Sequence, residues 1–375
     1  MRVLHFAKRS VTAVALVSIA LTGCGGESGP DVPFNPAGTS ADLEAMNSTF
    51  SSQPFASFST FSIMFDAALG GSPIVSASAQ ALDVRRGLSP SERGNPKAVR
   101  AAAARAAQRL ATMLKREQRT GAFSASMATV PAEVAGKTFV YDAGTGGYVQ
   151  SDRSGAPSNG VRFIIYAVNP ITWAPAEPLT ETGYVDLIDL SEGSTQAARV
   201  QVVSGGITYV DYTVSATSTS TSGRVSVIGL VTDGTIQANI NLRSTVTYTA
   251  GLTLTYSLDL PQRDVSIDLT VNASDISQPT GTIVVNLTMA GPNGTVTMSG
   301  EFSETSGTLN VRINGHLFAT VETDGTTTVI TRTDGTPLTE EEMLALQGVF
   351  DVQANAFVAF DQMLAPVGTF FGEGA

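Results

Sequence analysis

The sequence predicts an α+β protein in which a large curved antiparallel sheet packs against amphipathic helices. From residue 136 to residue 333, apolar and polar side chains alternate with a period of two, which is typical of strands with one buried face. Over residues 39–70 and 97–119, which an irregular stretch separates, and again over 340–365, apolar residues recur every three or four positions, which indicates helices. Charged residues are only 15% of the chain, while Thr, Ser, Gly and Val abound. This composition is typical of extracytoplasmic antiparallel sheets.

The first 23 residues predict a secretory signal peptide. Arg2, Lys8 and Arg9 give a positive start, and an apolar run follows over residues 11–21. The run is shorter than the roughly 20 apolar residues that cross a bilayer core. We therefore expect a cleaved leader rather than a membrane-spanning helix.

The leader closes on a four-residue motif that contains the only cysteine of the chain, namely Leu21, Thr22, Gly23 and Cys24. Over residues 1–24 alone, the sequence resembles the lipobox leader of bacterial lipoproteins. The resemblance implies cleavage before Cys24, a diacylglyceryl thioether on its sulfur and an acylated (palmitate-type) amino terminus. Gly25 follows, and the Asp that favours inner-membrane retention of lipoproteins is absent. We expect an outer-membrane anchor if the host has two membranes; an ordinary signal with a chance cysteine is the alternative.

The charge balance argues against nucleic acid as a partner. The chain carries 33 acidic and 22 basic residues, and cleavage would remove three of the basic ones. Such a surface repels phosphate backbones. With Cys24 acylated no thiol remains, so we expect no disulfide.

After a tether over residues 24–38, a helical segment is predicted over residues 39–120. Thr39 or Ser40 caps its start, and Pro54 interrupts it. An apolar stripe follows, formed by Phe55, Phe58, Phe61, Met64 and Phe65. Packing of this stripe on the sheet is favoured over contact with a lipid or a partner.

Residues 97–119 predict a basic amphipathic helix. One face is mostly Ala, and the other carries Arg100, Arg105, Arg109 and Arg116. Contact with anionic headgroups or a protein partner is one interpretation. We favour docking within the molecule, because Ala inserts weakly into lipid but packs closely on protein.

A β-rich domain that includes the C-terminal helix is predicted over residues 136–375. Its first strands are expected over residues 138–141, 161–168, 184–190, 197–203 and 207–214. The Ser/Thr run over 215–222 has two interpretations, a linker between two β domains or a strand end with a turn at Ser222-Gly223; we favour the second. Residues 224–333 predict a meander of hairpins, with turns at Asp233-Gly234, Gly291–Gly294, Ser306-Gly307 and Asp324-Gly325. The sheet is expected to form an open half-barrel or a sandwich.

A C-terminal helix over residues 340–365 begins with a capping box of Thr339 and Glu342 and ends at Pro366. Its apolar stripe at three-four spacing comprises Met343, Leu346, Phe350, Phe357, Phe360 and Leu364. The apolar face of the sheet is its expected destination.

No catalytic residue, cofactor or metal is predicted. His316 is the only histidine after the leader, and no nucleophile-elbow pattern or zinc ligand set accompanies it. Oxygen ligands for calcium are present at Asp186, Asp189 and Glu192, without the loop pattern that a calcium site needs.

The favoured hypothesis is a non-enzymatic envelope lipoprotein that binds a hydrophobic or lipid ligand under a helix-covered sheet, with Phe350, Phe357 and Phe360 facing the ligand. A protein partner in the envelope is a further expectation. The alternative is a structural or adhesive surface module with a fully packed core. A carboxylate-based hydrolase is a third hypothesis.

Overall fold

The computed structural model describes residues 34–69, 130–169, 172, 174–247, 251–274, 282–303, 306–324 and 328–368. Within these ranges the protein is mostly β-sheet, with three helices packed on the sheet's apolar face. The lipobox and the basic helix lie outside the described residues.

A single sheet contains all fifteen strands of the described part. Their bounds are β1 (Lys137–Asp142), β2 (Gly147–Ser151), β3 (Gly160–Tyr166), β4 (Glu181–Asp189), β5 (Gln196–Ser204), β6 (Ile207–Ser218), β7 (Ser222–Thr232), β8 (Gln237–Thr247), β9 (Gly251–Leu260), β10 (Val265–Ala273), β11 (Ile283–Gly291), β12 (Gly294–Phe302), β13 (Gly307–Ile313), β14 (His316–Thr323) and β15 (Thr328–Arg332).

From β3 to β15 each strand pairs antiparallel with the next one along the chain. The meander predicted over residues 224–333 is confirmed, and strands such as β8 and β9 bury alternate residues. The β13–β14 turn places Asn314 at φ 49° and Gly315 at φ 84°, the left-handed conformation that a tight type I′ hairpin requires.

The prediction of a purely antiparallel sheet is wrong at one edge. The strand β1 pairs antiparallel with β2 and parallel with β3, so the sheet is mixed. Ser151 at the end of β2 lies opposite Thr138 at the start of β1. A short loop over residues 152–159 then carries the chain past that end, and β3 starts beside Lys137 and runs in the same direction as β1. The sequence analysis also missed β2.

The Ser/Thr run is a hairpin and not a linker, because β6 and β7 pair along their length. The turn lies at residues 219–221, and Ser222 is already the first residue of β7. The Thr219 hydroxyl accepts hydrogen bonds from the amides of Thr221 at 3.3 Å and Ser222 at 3.0 Å. A side-chain oxygen that mimics a backbone turn explains why polar residues occupy this position.

The first helix, α1 (Pro36–Ser51), begins three residues before the predicted cap. Asn35 is the N-cap residue, and its side chain accepts a hydrogen bond from the amide of Gly38 at 3.0 Å. Pro36 occupies the first turn, where its missing N–H costs nothing. Phe34 packs against the core, so the predicted tether ends before residue 34.

The second helix, α2 (Gln53–Leu69), places its aromatic stripe on the sheet. The Phe58 ring lies 6.2 Å from that of Tyr212, and the Phe61 ring lies 4.9 Å from that of Phe163. Phe55 is also buried in this core. The packing interpretation is therefore confirmed for Phe58 and Phe61, while the Phe55 ring contacts Phe50 and Phe58 of the helices.

The third helix, α3 (Glu340–Gly368), has the predicted capping box. The Thr339 amide donates to Glu342 Oε2 at 2.9 Å, and the Glu342 amide donates to Thr339 Oγ1 at 3.2 Å. Pro366 lies inside the final turn rather than ending the helix. By length and apolar composition α3 satisfies the criteria for a membrane span, but 59% of its most apolar window is buried inside the protein.

The two N-terminal helices pack against α3 as well as against the sheet. Asn47 on α1 accepts a hydrogen bond from Asn355 at 3.0 Å, and Ser59 on α2 donates one to Gln362 at 2.6 Å. Arg332 at the end of β15 bonds Glu342 at 3.0 Å. These contacts hold α3 along its whole length.

Hydrogen bonds tie α1 to the turns at one end of the sheet. The buried carboxylate of Asp42 accepts from Arg263 in the β9–β10 turn at 3.1 Å and from Asn293 in the β11–β12 turn at 2.7 Å. The Asp233 carboxylate in the β7–β8 turn accepts from Ser48 at 3.2 Å. The helix therefore closes this end of the inner face.

Asp233 makes part of this closure pH-dependent. Burial raises the pKa of its carboxyl, but hydrogen bonds from the amides of Ile236 and Thr235 and from Ser48 outweigh burial, and the net pKa lies below the usual value. A lowered folded-state pKa contributes stability above the unfolded value of about 3.9, and that stability is lost as pH falls through the folded pKa.

We expect Asp233→Asn to lower the urea midpoint at pH 7, and this difference from wild type to shrink below pH 4. Glu44→Gln, an exposed change of the same charge on α1, is the control; a difference independent of pH would contradict the prediction.

Candidate functional site

The inner face of the sheet, which contacts the helices, is almost wholly apolar. Among the buried residues of β6 to β12 in the described part, three carry a hydroxyl group, namely Tyr212, Ser244 and Tyr256. Buried polar groups are normally hydrogen-bonded, because an unpaired one loses its bonds to water without replacement. The partners of these three hydroxyls therefore show where the core departs from ordinary packing.

Tyr212 on β6 follows the ordinary rule. Its hydroxyl donates to the backbone carbonyl of Met363 on α3 at 2.7 Å. Burial raises the pKa of this phenol well above its usual value, so the hydroxyl keeps its proton and remains a donor. Tyr212 therefore fastens the C-terminal part of α3 to the sheet.

Tyr256 on β9 breaks the rule. Its ring lies 5.0 Å from Phe360 and 6.4 Å from Phe357 on α3, and the residue is 2% exposed. Its hydroxyl is buried and has no hydrogen-bond partner. Burial, and secondarily the charge of Asp268, raise the pKa of the phenol well above its usual value. A protonated donor is thus held unsatisfied among aromatic rings.

Ser244 on β8 is the second such group. The strand register pairs Leu242 with Tyr256 and Ser244 with Leu254, so Ser244 and Tyr256 are diagonal neighbours on the inner face. Ser244 has no exposed surface, and its hydroxyl has no hydrogen-bond partner.

Gln353 on α3 is a third, and Ser57 on α2, Thr138 on β1 and Gln196 on β5 also carry a buried polar atom without a partner. The three-four spacing of the apolar stripe, from Phe350 to Phe357, passes through position 353, where an apolar residue is expected. The side chain is 2% exposed, and its Nε2 has no hydrogen-bond partner. One helical turn, about 5.4 Å, separates it from Phe357, which faces Tyr256. Asn355 and Gln362 on other faces of the same helix are hydrogen-bonded.

We call Ser244, Tyr256 and Gln353 the polar seam. It lies between α3 and the sheet, flanked by the predicted ligand-facing residues Phe350, Phe357 and Phe360, all of which are at most 5% exposed. An apolar setting with a few converging polar groups is the usual composition of a small-molecule site. Sequence analysis missed the polar seam, although Gln353 leaves a visible gap in the helical stripe.

The described part offers little for catalysis or metal binding. His316 is exposed at the start of β14, and no group of three His, Cys, Asp or Glu side chains in the described ranges is placed to hold a metal ion. Two of the three carboxylates considered for calcium have other bonds. Asp186 is held by Arg162 through two bonds of 2.7 Å, and Asp189 accepts from the Ser191 amide at 2.8 Å.

Two surface depressions lie at the strand ends opposite the turns that α1 contacts. One, of about 580 Å³, is lined by Glu301, Glu322 and Asp324 among others; the second, of about 310 Å³, lies between the ends of β8 and β11. Neither is lined by residues of α3, so neither belongs to the polar seam.

The remaining predicted site residues lie outside the described part of the chain. They are Leu21, Thr22, Gly23 and Cys24 of the lipobox, and Arg100, Arg105, Arg109 and Arg116 of the basic helix.

No protein-family model, curated protein or solved structure matches this chain.

The two buried tyrosines, Tyr212 and Tyr256, make a matched pair for testing whether the Tyr256 hydroxyl lacks a hydrogen-bond partner. We expect Tyr212→Phe to lower the free energy of unfolding by about 1 kcal/mol, since it removes a satisfied buried hydrogen bond. Tyr256→Phe should leave the stability of the ligand-free protein unchanged or raise it, because the hydroxyl that it removes is unsatisfied. Urea unfolding of both variants tests this. Equal losses would mean that the Tyr256 hydroxyl has a partner in solution.

Proposed function

We propose that this protein is a non-enzymatic cell-envelope lipoprotein, anchored through acylated Cys24, that holds a hydrophobic ligand between α3 and the inner face of the sheet. The observation that carries the proposal is the Tyr256 hydroxyl, which is buried without a partner among aromatic rings of α3. A core shaped for stability alone would pair such a group or replace Tyr with Phe.

The surrounding architecture supports a protected apolar site. Tyr212 on β6 and Arg332 on β15 both bond α3, although nine strand spacings separate them. Glu342 and Met363 lie near opposite ends of α3, so the helix runs across the strands and covers the inner face between β6 and β15. The basic helix, with Arg100, Arg105, Arg109 and Arg116, would dock on the protein rather than insert into lipid.

A structural or adhesive module with a fully packed core is the second candidate. The ring contacts among Tyr256, Phe357 and Phe360 favour it, because aromatic rings at 5.0 to 6.5 Å already fill space. In this case the seam would be a tolerated defect, and the polar outer face of the sheet would meet the partner.

Native mass spectrometry of the full-length protein, released gently from detergent, separates the two candidates. A ligand-binding protein should show a discrete lipid-sized mass beyond that of the acylated chain, and solvent extraction should remove it. Phe360→Trp, which adds volume beside Tyr256, should reduce the bound fraction, whereas Phe55→Trp on α2 serves as a control for enlarging a core aromatic. A ligand-free mass under the gentlest conditions would contradict binding and favour the packed module.

A separate experiment tests the proposed membrane attachment through Cys24. Cys24→Ser removes the only sulfur that can carry a thioether, so the variant should lose incorporation of a labelled fatty acid and move from the detergent phase to the aqueous phase on phase separation. Ser28→Ala, four residues further along, is a control that leaves the cysteine intact. Continued labelling of the Cys24→Ser chain would exclude the proposed attachment.

A further inference from the structure

We propose that the polar seam binds the uncharged, hydrogen-bond-accepting group of a neutral lipid, in particular an ester carbonyl, and discriminates against lipids with an ionised head. This inference rests on the proposed function and specifies its ligand class. Two observations support it: each group of the polar seam can donate a hydrogen bond, and the described residues around the seam carry no free positive charge.

All three groups of the polar seam can donate a hydrogen bond. Tyr256 and Ser244 offer hydroxyls, and the unpartnered atom of Gln353 is its amide nitrogen. The raised pKa of the Tyr256 phenol keeps that group protonated. Because the Nε2 atom of Gln353 can only donate, a ligand that satisfies the whole seam must present a hydrogen-bond acceptor, which a saturated hydrocarbon lacks.

Among the described residues, the helices and strands around the polar seam provide no positive charge for an anion. None of the three helices contains Lys, Arg or His, and no buried residue of β6 to β12 in the described ranges is charged. Arg263 and Arg332, at the sheet's margins, are bonded to Asp42 and Glu342. An ionised carboxylate or phosphate buried without a cation would pay a large desolvation cost.

An ester carbonyl meets both conditions, because it accepts hydrogen bonds and carries no charge. Its hydrocarbon chains would lie against Phe350, Phe357 and Phe360, the apolar neighbours of the seam on α3. The polar seam would thus select the head group by hydrogen bonding, while the aromatic residues bind the hydrocarbon chain by non-directional apolar contact.

A competition among three probes with the same sixteen-carbon chain tests the proposal. Delipidated full-length protein is incubated at pH 8 with equimolar methyl palmitate, palmitate and hexadecane, repurified, extracted and analysed by gas chromatography. We expect methyl palmitate to be retained at least tenfold over each of the other two. Equal retention of palmitate or of hexadecane would overturn the head-group inference.

Variants assign the selectivity to the seam. Tyr256→Phe and Gln353→Leu should each reduce retention of methyl palmitate about tenfold, the effect of losing one buried donor, and should leave retention of hexadecane unchanged. Tyr212→Phe, which removes a buried hydroxyl already bonded to Met363, should leave the ester preference intact. Circular dichroism confirms that each variant is folded.

The outcomes separate the two proposals. If wild-type protein retains none of the probes, ligand binding itself fails and the inference falls with it. If the probes bind but the ester is not preferred, or if Tyr256→Phe keeps the preference, binding stands and only the head-group assignment is wrong.

Discussion

The burial of α3 is the constraint on which the rest of the structure depends. Much of this helix is buried, including Val349, Val352, Phe360 and Leu364, although Leu344 near its start is 53% exposed. So apolar a helix needs cover over most of its surface. A sheet with one apolar face covers only part of it, and α1 and α2 supply the remaining cover. The described helices and the inner face of the sheet therefore stabilise one another, and exposing α3 would expose the apolar surfaces of all of them.

Polar contacts within this apolar interior define how the helices are placed. Ser59 with Gln362 and Tyr212 with the Met363 carbonyl each satisfy a buried group, and Asn47 with Asn355 forms a half-buried pair; each bond fixes one element against another. Such pairs add specificity to packing that apolar contacts alone leave loosely defined. The polar seam is the contrast, because its groups are buried without fixing anything, and for this reason it is the natural place to look for a ligand.

Much of the fold was predictable because its signals are local. Alternation over residues 224–333 follows from one buried face, and the Thr339–Glu342 capping box is a contact within a single turn. The parallel pairing of β1 with β3 was not predictable, since it depends on which side of β1 the chain returns. The start of α1 was missed because Asn35 and Pro36, rather than Thr39 or Ser40, provide the helix start.

The candidate site, too, was predictable from the sequence only in part. The sequence by itself determined the apolar stripe of α3, including Phe357 and Phe360, because periodicity shows which residues share a helix face. It also contained Gln353 as a gap in that stripe. Only the tertiary structure decided that Ser244 and Tyr256 are diagonal neighbours on the inner face, and that their hydroxyls and the Nε2 atom of Gln353 are buried without a hydrogen-bond partner. Hydrogen-bond satisfaction depends on atoms brought together from distant strands and helices, and no local pattern encodes it.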